Sequence, residues 1–201
     1  EVFRKENFTI DSEKLVDTIT PKTKMVFIDS PGNPTSVVVS AQTIERLLKK
    51  KIIVVVDEAY YEYCGKTVLP LVRKYENLIV LRTFSKWAGL AGLRVGYCVA
   101  NPKIIQILST IKSPYNVNTV AQEMACFVLD RRKKILQEIN AMVKYRKKAI
   151  EELQTITQLT VYPSQGAYII FQPKDSALKL QTYLKQKGIF VKLISQPLLP
   201  N

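Results

Sequence analysis

The seven residues KIIVVVD, Lys51 to Asp57, constrain the fold more than any other stretch of the chain. Ile52, Ile53 and the three valines that follow are all β-branched, a run that crowds a helix and suits a strand. No polar residue alternates in, so such a strand has no wet face and calls for cover on both sides. A sheet layered between helices is expected. The run closes on a carboxylate, Asp57, and then gives way to EAYYEYCG.

The same punctuation recurs on either side. KMVFID (Lys24 to Asp29) reads as a short apolar strand ending at SPGNPT, and SAQTIERLLKK as a helix with Ser40 at its N-cap. NLIVLRT (Asn77 to Thr83) is a third strand. RVGYCVA (Arg94 to Ala100) follows it too soon for a helical crossover, so an antiparallel fourth strand is expected. Strands alternating with helices imply an α/β sheet, and such sheets bind ligands beyond the carboxyl ends of their strands. The polar residues gather at those ends: Asn33 after the first strand, Asp57 and Tyr60 closing the second, Thr83, Ser85 and Lys86 after the third.

Composition narrows the chemistry. With 201 residues and 47% apolar content the chain can bury one large or two small cores. It has no histidine, which removes Ser-His-Asp and Cys-His nucleophiles and histidine-bound metal. Cys64, Cys98 and Cys126 are odd in number and scattered among apolar neighbours, so neither a disulfide framework nor a metal site is expected. No apolar run reaches bilayer length and EVFRKENFTI carries no secretory signature; a cytoplasmic protein is expected, with an organelle stroma as the alternative if a targeting segment precedes Glu1. The net charge of +13 raises the question of nucleic acid. However, the basic block RRKKILQEINAMVKYRKKAIEEL sets Ile135, Ile139, Met142, Val143, Ile150 and Leu153 on one helical stripe with the basic residues largely opposite, the pattern of a wet helix face, and no nucleic-acid partner is expected. Beyond it, LTVYPSQGAYIIFQP, a helix around SALKLQTYLKQKG with Gly188 at its C-terminal cap, and a strand IFVKLI form a set of their own. Residues 1–131 are read as part of a large domain and 132–201 as the connecting helix and part of a smaller α+β domain. The chain closes on SQPLLPN.

A lysine, an aspartate, a tyrosine, an asparagine and an arginine around one crevice fit pyridoxal phosphate chemistry. A lysine amine holds the aldehyde as an imine, and an aspartate keeps the pyridine nitrogen protonated so that the ring accepts electrons. Tyrosine and asparagine donors reach the ring oxygen, and an arginine fork with nearby hydroxyls suits the phosphate.

In order and spacing, SPGNPT, VVVDEAYYEY, LRTFSKWAGLAGLRVGY and SPYNVN resemble the fold-type I aminotransferases, most closely the histidinol-phosphate aminotransferases, over about Phe8 to Leu193. The resemblance implies a transferase fold of the pyridoxal-phosphate-dependent type, with a large domain on a mainly parallel sheet. It implies a homodimer acting on a small-molecule amino donor and a 2-oxo acid, with L-histidinol phosphate and 2-oxoglutarate as the expected pair. Carried over residue by residue, it makes Lys86 the imine-forming and proton-shuttling group and Asp57 the partner of the ring nitrogen. Asn33 and Tyr60 would contact the ring oxygen, and Arg94, Ser85 and Thr83 the phosphate.

Simpler readings stand beside these. Asn33 before Pro34 can shape a turn, and Asp57 can cap the next segment, although a carboxylate closing five apolar residues is costly to bury unpaired. Only the family register separates Tyr60 from Tyr61 and Tyr63. Thr83 can be an ordinary strand residue, Gly89, Gly92 and Gly96 can serve turns and close packing, and Tyr115 and Asn116 either approach a partner's site or simply precede a helix. Ser36 stands where the family has glycine after NPT, and Trp87 where a smaller or basic residue follows the lysine. The family's amino-terminal phosphate-binding segment and its carboxy-terminal R-x-S-x-G arginine have no counterpart, so the chain is expected to begin inside the large domain and end inside the small one. A catalytically incomplete aminotransferase-like domain, an aromatic aminotransferase and a phosphoamino-acid decarboxylase are the alternatives.

Overall fold

The structure, a computed structural model, describes residues 5–194; SQPLLPN lies outside them. Helix α1 (Ser12–Asp17) starts at Asp11, whose carboxylate accepts from the Glu13 and Lys14 N–H groups. Strand β1 (Met25–Asp29) leads through SPGNPT to α2 (Ala41–Leu48), where the Ser40 side chain accepts from Thr43 N–H as the sequence predicts. Then come β2 (Ile53–Asp57), α3 (Tyr61–Cys64), a 3₁₀ turn over Leu69–Arg73, β3 (Leu78–Thr83), a second 3₁₀ turn over Ala91–Leu93, and β4 (Gly96–Ala100). Three helices follow, α4 (Pro102–Ile111), α5 (Thr119–Asp130) and α6 (Arg132–Gln154), before the short strands β5 (Leu159–Val161) and β6 (Phe171–Pro173) and the helix α7 (Ala177–Gln186).

The first four strands form one sheet in the order β1-β2-β3-β4, parallel except for β4, which runs antiparallel to β3. The covering of β2 on both faces is observed: Val54, Val55 and Val56 are all buried. One face packs Ile28, Val54, Val56, Leu78 and Val80 against Leu15 and Val16 of α1 and Ile44, Leu47 and Leu48 of α2. Each such side chain, fully buried, stabilises the fold by about 1.5–3 kcal/mol. A second cluster joins Phe84 and Val95, which flank the β3–β4 connection, to Ala121 and Ala125 of α5, with Trp87 packed against it. At the edge of the sheet, β1 exposes Met25 and Phe27.

Helix α6 departs from the sequence reading in one respect. Ile139 is buried and Ile135, Val143, Ile150 and Leu153 are half-buried, but Met142 is exposed and Arg146 takes the inward place. At about 100° per residue, Arg146 returns to within about 20° of Ile139 whereas Met142 falls about 60° away. Burial lowers the pKa of the Arg146 guanidinium, whose Nη1 donates to the carbonyls of Gly166 and Tyr63. Lys133, Lys134, Lys144, Lys147 and Lys148 face solvent, as expected.

Strands β5 and β6 pair antiparallel. The expected strand IFVKLI does not form: residues 189–194 have no ladder partner among the described residues, and the Val191 carbonyl accepts instead from the Gln181 side chain. Strand geometry persists only where a neighbouring strand takes up the backbone groups. Gly188 does end α7. It has φ +78°, and the bonds Gly188 N–H to Lys185 O and Ile189 N–H to Leu184 O make a Schellman cap. Among the described residues no helix is long and apolar enough to cross a membrane.

Candidate active site

Strand direction brings the candidate residues together. Asp29 lies in register with Asp57, Asp57 with Leu81, and Thr83 with Gly96. Everything that follows β1, β2 and β3, and everything that precedes the antiparallel β4, therefore meets at one edge of the sheet. The β3–β4 pairing is close there: a Cβ on Gly96 would lie 2.8 Å from the Arg82 carbonyl oxygen, so this glycine serves close packing.

The loop after β1 is held by its own polar groups. Asn33 N–H donates to Asp29 Oδ2 (3.0 Å), and Val39 N–H donates to Ser30 Oγ (3.0 Å). The Ser30–Pro31 and Asn33–Pro34 bonds are cis. Asn33 shapes this loop and also reaches out of it, its Nδ2 donating to the hydroxyls of Tyr60 (3.0 Å) and Tyr168 (3.3 Å). The two tyrosine hydroxyls hydrogen-bond to each other.

Burial and partners distinguish the three tyrosines after β2. Tyr60 is buried with its hydroxyl on Asn33; Tyr61 lies under the Arg82 guanidinium, 3.7 Å from ring centroid to Cζ; Tyr63 packs beside Tyr60 at 6.2 Å between centroids. Lys86, itself exposed, extends its Nζ over the Tyr60 ring, 5.5 Å from the centroid. Thr83 Oγ1 donates to Val95 O (3.3 Å) and accepts from Ser85 N–H (3.0 Å), tying the strand end to the turn that carries Lys86. Arg94 sits next to Val95 in the left-handed region (φ +56°), with Nη1 donating to Ala91 O (3.0 Å). Thus Asn33 and Lys86 converge on Tyr60, and Thr83 joins Ser85. Among the described residues no hydrogen bond joins Asp57 or Arg94 to either group.

Asp57 corrects one argument from sequence. It is exposed and its Oδ1 accepts from Ala59 N–H (2.9 Å), so no burial cost requires a partner. The buried carboxylate is the next residue, Glu58, 1% exposed. It accepts from Arg82 Nη2 (2.9 Å) and Nε (3.1 Å), from Thr67 Oγ1 and from Val68 N–H. Sequence reading also missed Tyr168, hidden inside an apolar strand-like run, and the role of Ser36. Ser36 has φ +55°, which explains glycine as the usual residue there; its Oγ accepts from Tyr168 N–H (3.0 Å). Burial and the hydrogen bond shared with Tyr60 raise the Tyr168 pKa, while the charges of Lys86 and Lys192 lower it. Beyond Asn33 and Tyr168 opens a cavity of about 830 Å³, walled by Phe171, Leu180 and Lys192 among others, with neither Lys86 nor Asp57 in its lining.

The donor set suits a phosphorylated, anionic heteroaromatic aldehyde. It offers an amine, a carboxylate at a strand end, tyrosine and asparagine donors, and the Thr83 and Ser85 hydroxyls, with Arg94 next in sequence to Val95, whose carbonyl accepts from Thr83.

Residues 1–201 match the family described as aminotransferase class I and II. The histidinol-phosphate aminotransferase of Dehalococcoides mccartyi is 40% identical over 199 residues, which is 98% of this chain and 56% of that protein; the chain thus spans about half the length of the curated relatives it matches. Among solved structures, the histidinol-phosphate aminotransferase from Clostridium acetobutylicum superposes with a TM-score of 0.83 at 26% identity, over 92% of this chain and 58% of that one. The Sinorhizobium meliloti histidinol-phosphate aminotransferase, solved in complex with pyridoxal-5'-phosphate, gives 0.77 at 24% identity over 94% and 54%, a likeness of fold.

Proposed function

The chain belongs to the class I and II aminotransferases, and from that premise we propose that it forms the cofactor-binding centre of a pyridoxal-phosphate-dependent transaminase acting on L-histidinol phosphate and 2-oxoglutarate. The observation that carries the reading is the convergence of Asn33 and Lys86 on Tyr60, a donor pair and an amine set around one point at the carboxyl edge of the sheet. That its relatives are histidinol-phosphate aminotransferases supports the substrate class.

When bound, pyridoxal phosphate supplies an electron-accepting ring conjugated to the carbon that exchanges an amino group. Lys86 Nζ would hold the cofactor's aldehyde group and would carry the proton to and from the substrate's Cα. Asp57, at the end of β2, would accept from the ring nitrogen. Its exposure leaves it room to do so, and its bond to Ala59 N–H fixes its rotamer. Tyr60 would donate to the ring oxygen, and Asn33 would join it on releasing one tyrosine hydroxyl. Ser85 and Thr83, with the Arg94 fork, would bind the phosphate, for which Arg94 would have to release Ala91 O. We take residues 1–131 as belonging to the large domain and 132–201 to the smaller one. The whole protein is proposed to work as a homodimer.

The test is spectroscopic and kinetic. Pyridoxal phosphate added to the purified 201-residue chain is expected to give a visible band that Lys86→Ala abolishes, and histidinol phosphate with 2-oxoglutarate is expected to yield glutamate. A chain that shows neither the band nor the glutamate overturns the reading in favour of a catalytically incomplete domain.

A further inference from the structure

Tyr168 comes from the hairpin beyond α6, far in sequence from every residue assigned above, yet its hydroxyl closes a triangle with Tyr60 and Asn33. Its position is set from several sides. Tyr168 N–H donates to Ser36 Oγ (3.0 Å), Ser164 Oγ donates to the Tyr168 carbonyl, and the Tyr168 ring meets Tyr60 edge-on at 5.3 Å between centroids. The hairpin is tied to the loop that carries Asn33: Gln165 and Gly166 N–H groups donate to Ser36 O, and a Cβ on Gly166 would meet Pro31 and Ser36 at 3.1 Å.

The protons of this triangle can be counted. The Asn33 amide brings two N–H groups and each tyrosine one O–H. The two N–H groups go to the two tyrosine oxygens and one O–H lies between the oxygens, so one hydroxyl proton remains to point outward. If Tyr60 donates to Tyr168, that outward proton belongs to Tyr168 and Tyr60 has nothing to offer a ligand beside Lys86. If Tyr168 donates, the Tyr60 proton is free and its oxygen is polarised by two donors.

We propose that Tyr168 is a positioning residue that donates to Tyr60 and so makes Tyr60 a directed, strengthened donor to an anionic oxygen bound next to Lys86. This deepens the proposed function and rests on it, the anionic oxygen being the cofactor's ring oxygen. It also makes the donor strength of the site depend on the hairpin staying docked on the loop through Ser36.

The test uses Tyr168→Phe, which keeps the ring and removes the hydroxyl, with Tyr162→Phe as a control whose hydroxyl donates to Gln172. A weaker donor at the ring oxygen leaves the long-wavelength form of the bound cofactor protonated to higher pH. The midpoint of the visible band is therefore expected to rise by about half to one pH unit in Tyr168→Phe and to stay in place in Tyr162→Phe. In the cofactor-free chain the ¹³Cζ resonance of Tyr60, assigned with Tyr60→Phe, is expected to move in Tyr168→Phe alone. A visible band in the parent chain whose midpoint Tyr168→Phe leaves unchanged, or an unmoved Tyr60 resonance, overturns this inference and leaves the function standing. No band in the parent chain overturns both.

Discussion

Asp57, which ends β2, and Glu58, which follows it, meet opposite environments because successive residues of an extended chain point to opposite sides. Asp57 faces solvent, free for a ligand, while Glu58 turns into a cage of Arg82, Thr67 and the Val68 N–H group. Removing one partner of a buried ion pair leaves a desolvated charge, so Arg82→Leu is expected to lower unfolding stability by about 3–5 kcal/mol, and Glu58→Leu with Arg82→Leu to lower it less than Arg82→Leu alone. Urea denaturation of the two variants checks this. Glu62, one turn away, carries a second signature. Burial pushes its carboxyl up from an ordinary 4.5 to about 7, with Arg82 pulling it down and Glu58 pushing it up. The folded state then binds more protons than the unfolded one between those values, so stability is expected to fall as pH rises through that window. Glu62→Gln should flatten the dependence, as thermal unfolding across pH 4 to 8 would read. None of this was legible in DEAYYEY, since the sequence shows two adjacent acids and four aromatic or apolar neighbours without saying which side of the chain is dry.

Elements were legible where their patterns were one-sided. The β-branched run gave β2, the short spacing gave the antiparallel β4, and Ser40 and Gly188 gave helix ends whose observed bonds are those their side chains or backbone permit. The misreadings came where an element needs a partner to exist. IFVKLI has strand composition but, among the described residues, no strand beside it, and Arg146 entered the inner stripe of α6 because carbonyls of Tyr63 and Gly166 waited there. Gly96 marks the opposite case, a residue whose role is space. Gly96→Ala would place its Cβ 2.8 Å from a backbone oxygen, where no flexible side chain can give way. It is expected to cost about 1–3 kcal/mol and to loosen the turn that carries Lys86, visible as faster amide exchange at Leu81 and Thr83.

At the scale of the molecule, the candidate site is a consequence of topology. Asn33, Tyr60 and Lys86 are gathered because three strands run parallel and end at one edge. The same scale leaves an apolar surface uncovered: Ile111 is 75% exposed, Tyr115 92% and Val120 62%, around the stretch whose family resemblance implies approach to a partner subunit. The expected homodimer should use it. Ile111→Lys with Tyr115→Ser is expected to shift the sedimenting mass toward a single chain without lowering the urea midpoint, and an unchanged mass would move the contact elsewhere. The sequence by itself determined the family and the α/β sheet, because strand periodicity and the four motifs are properties of neighbouring residues. Only the tertiary structure decided that Tyr168 belongs with Tyr60 and Asn33, that Ser36 holds it there, and that Glu58 rather than Asp57 is the buried acid. Those facts depend on which distant surfaces exclude water from each other, and a linear pattern carries no record of that.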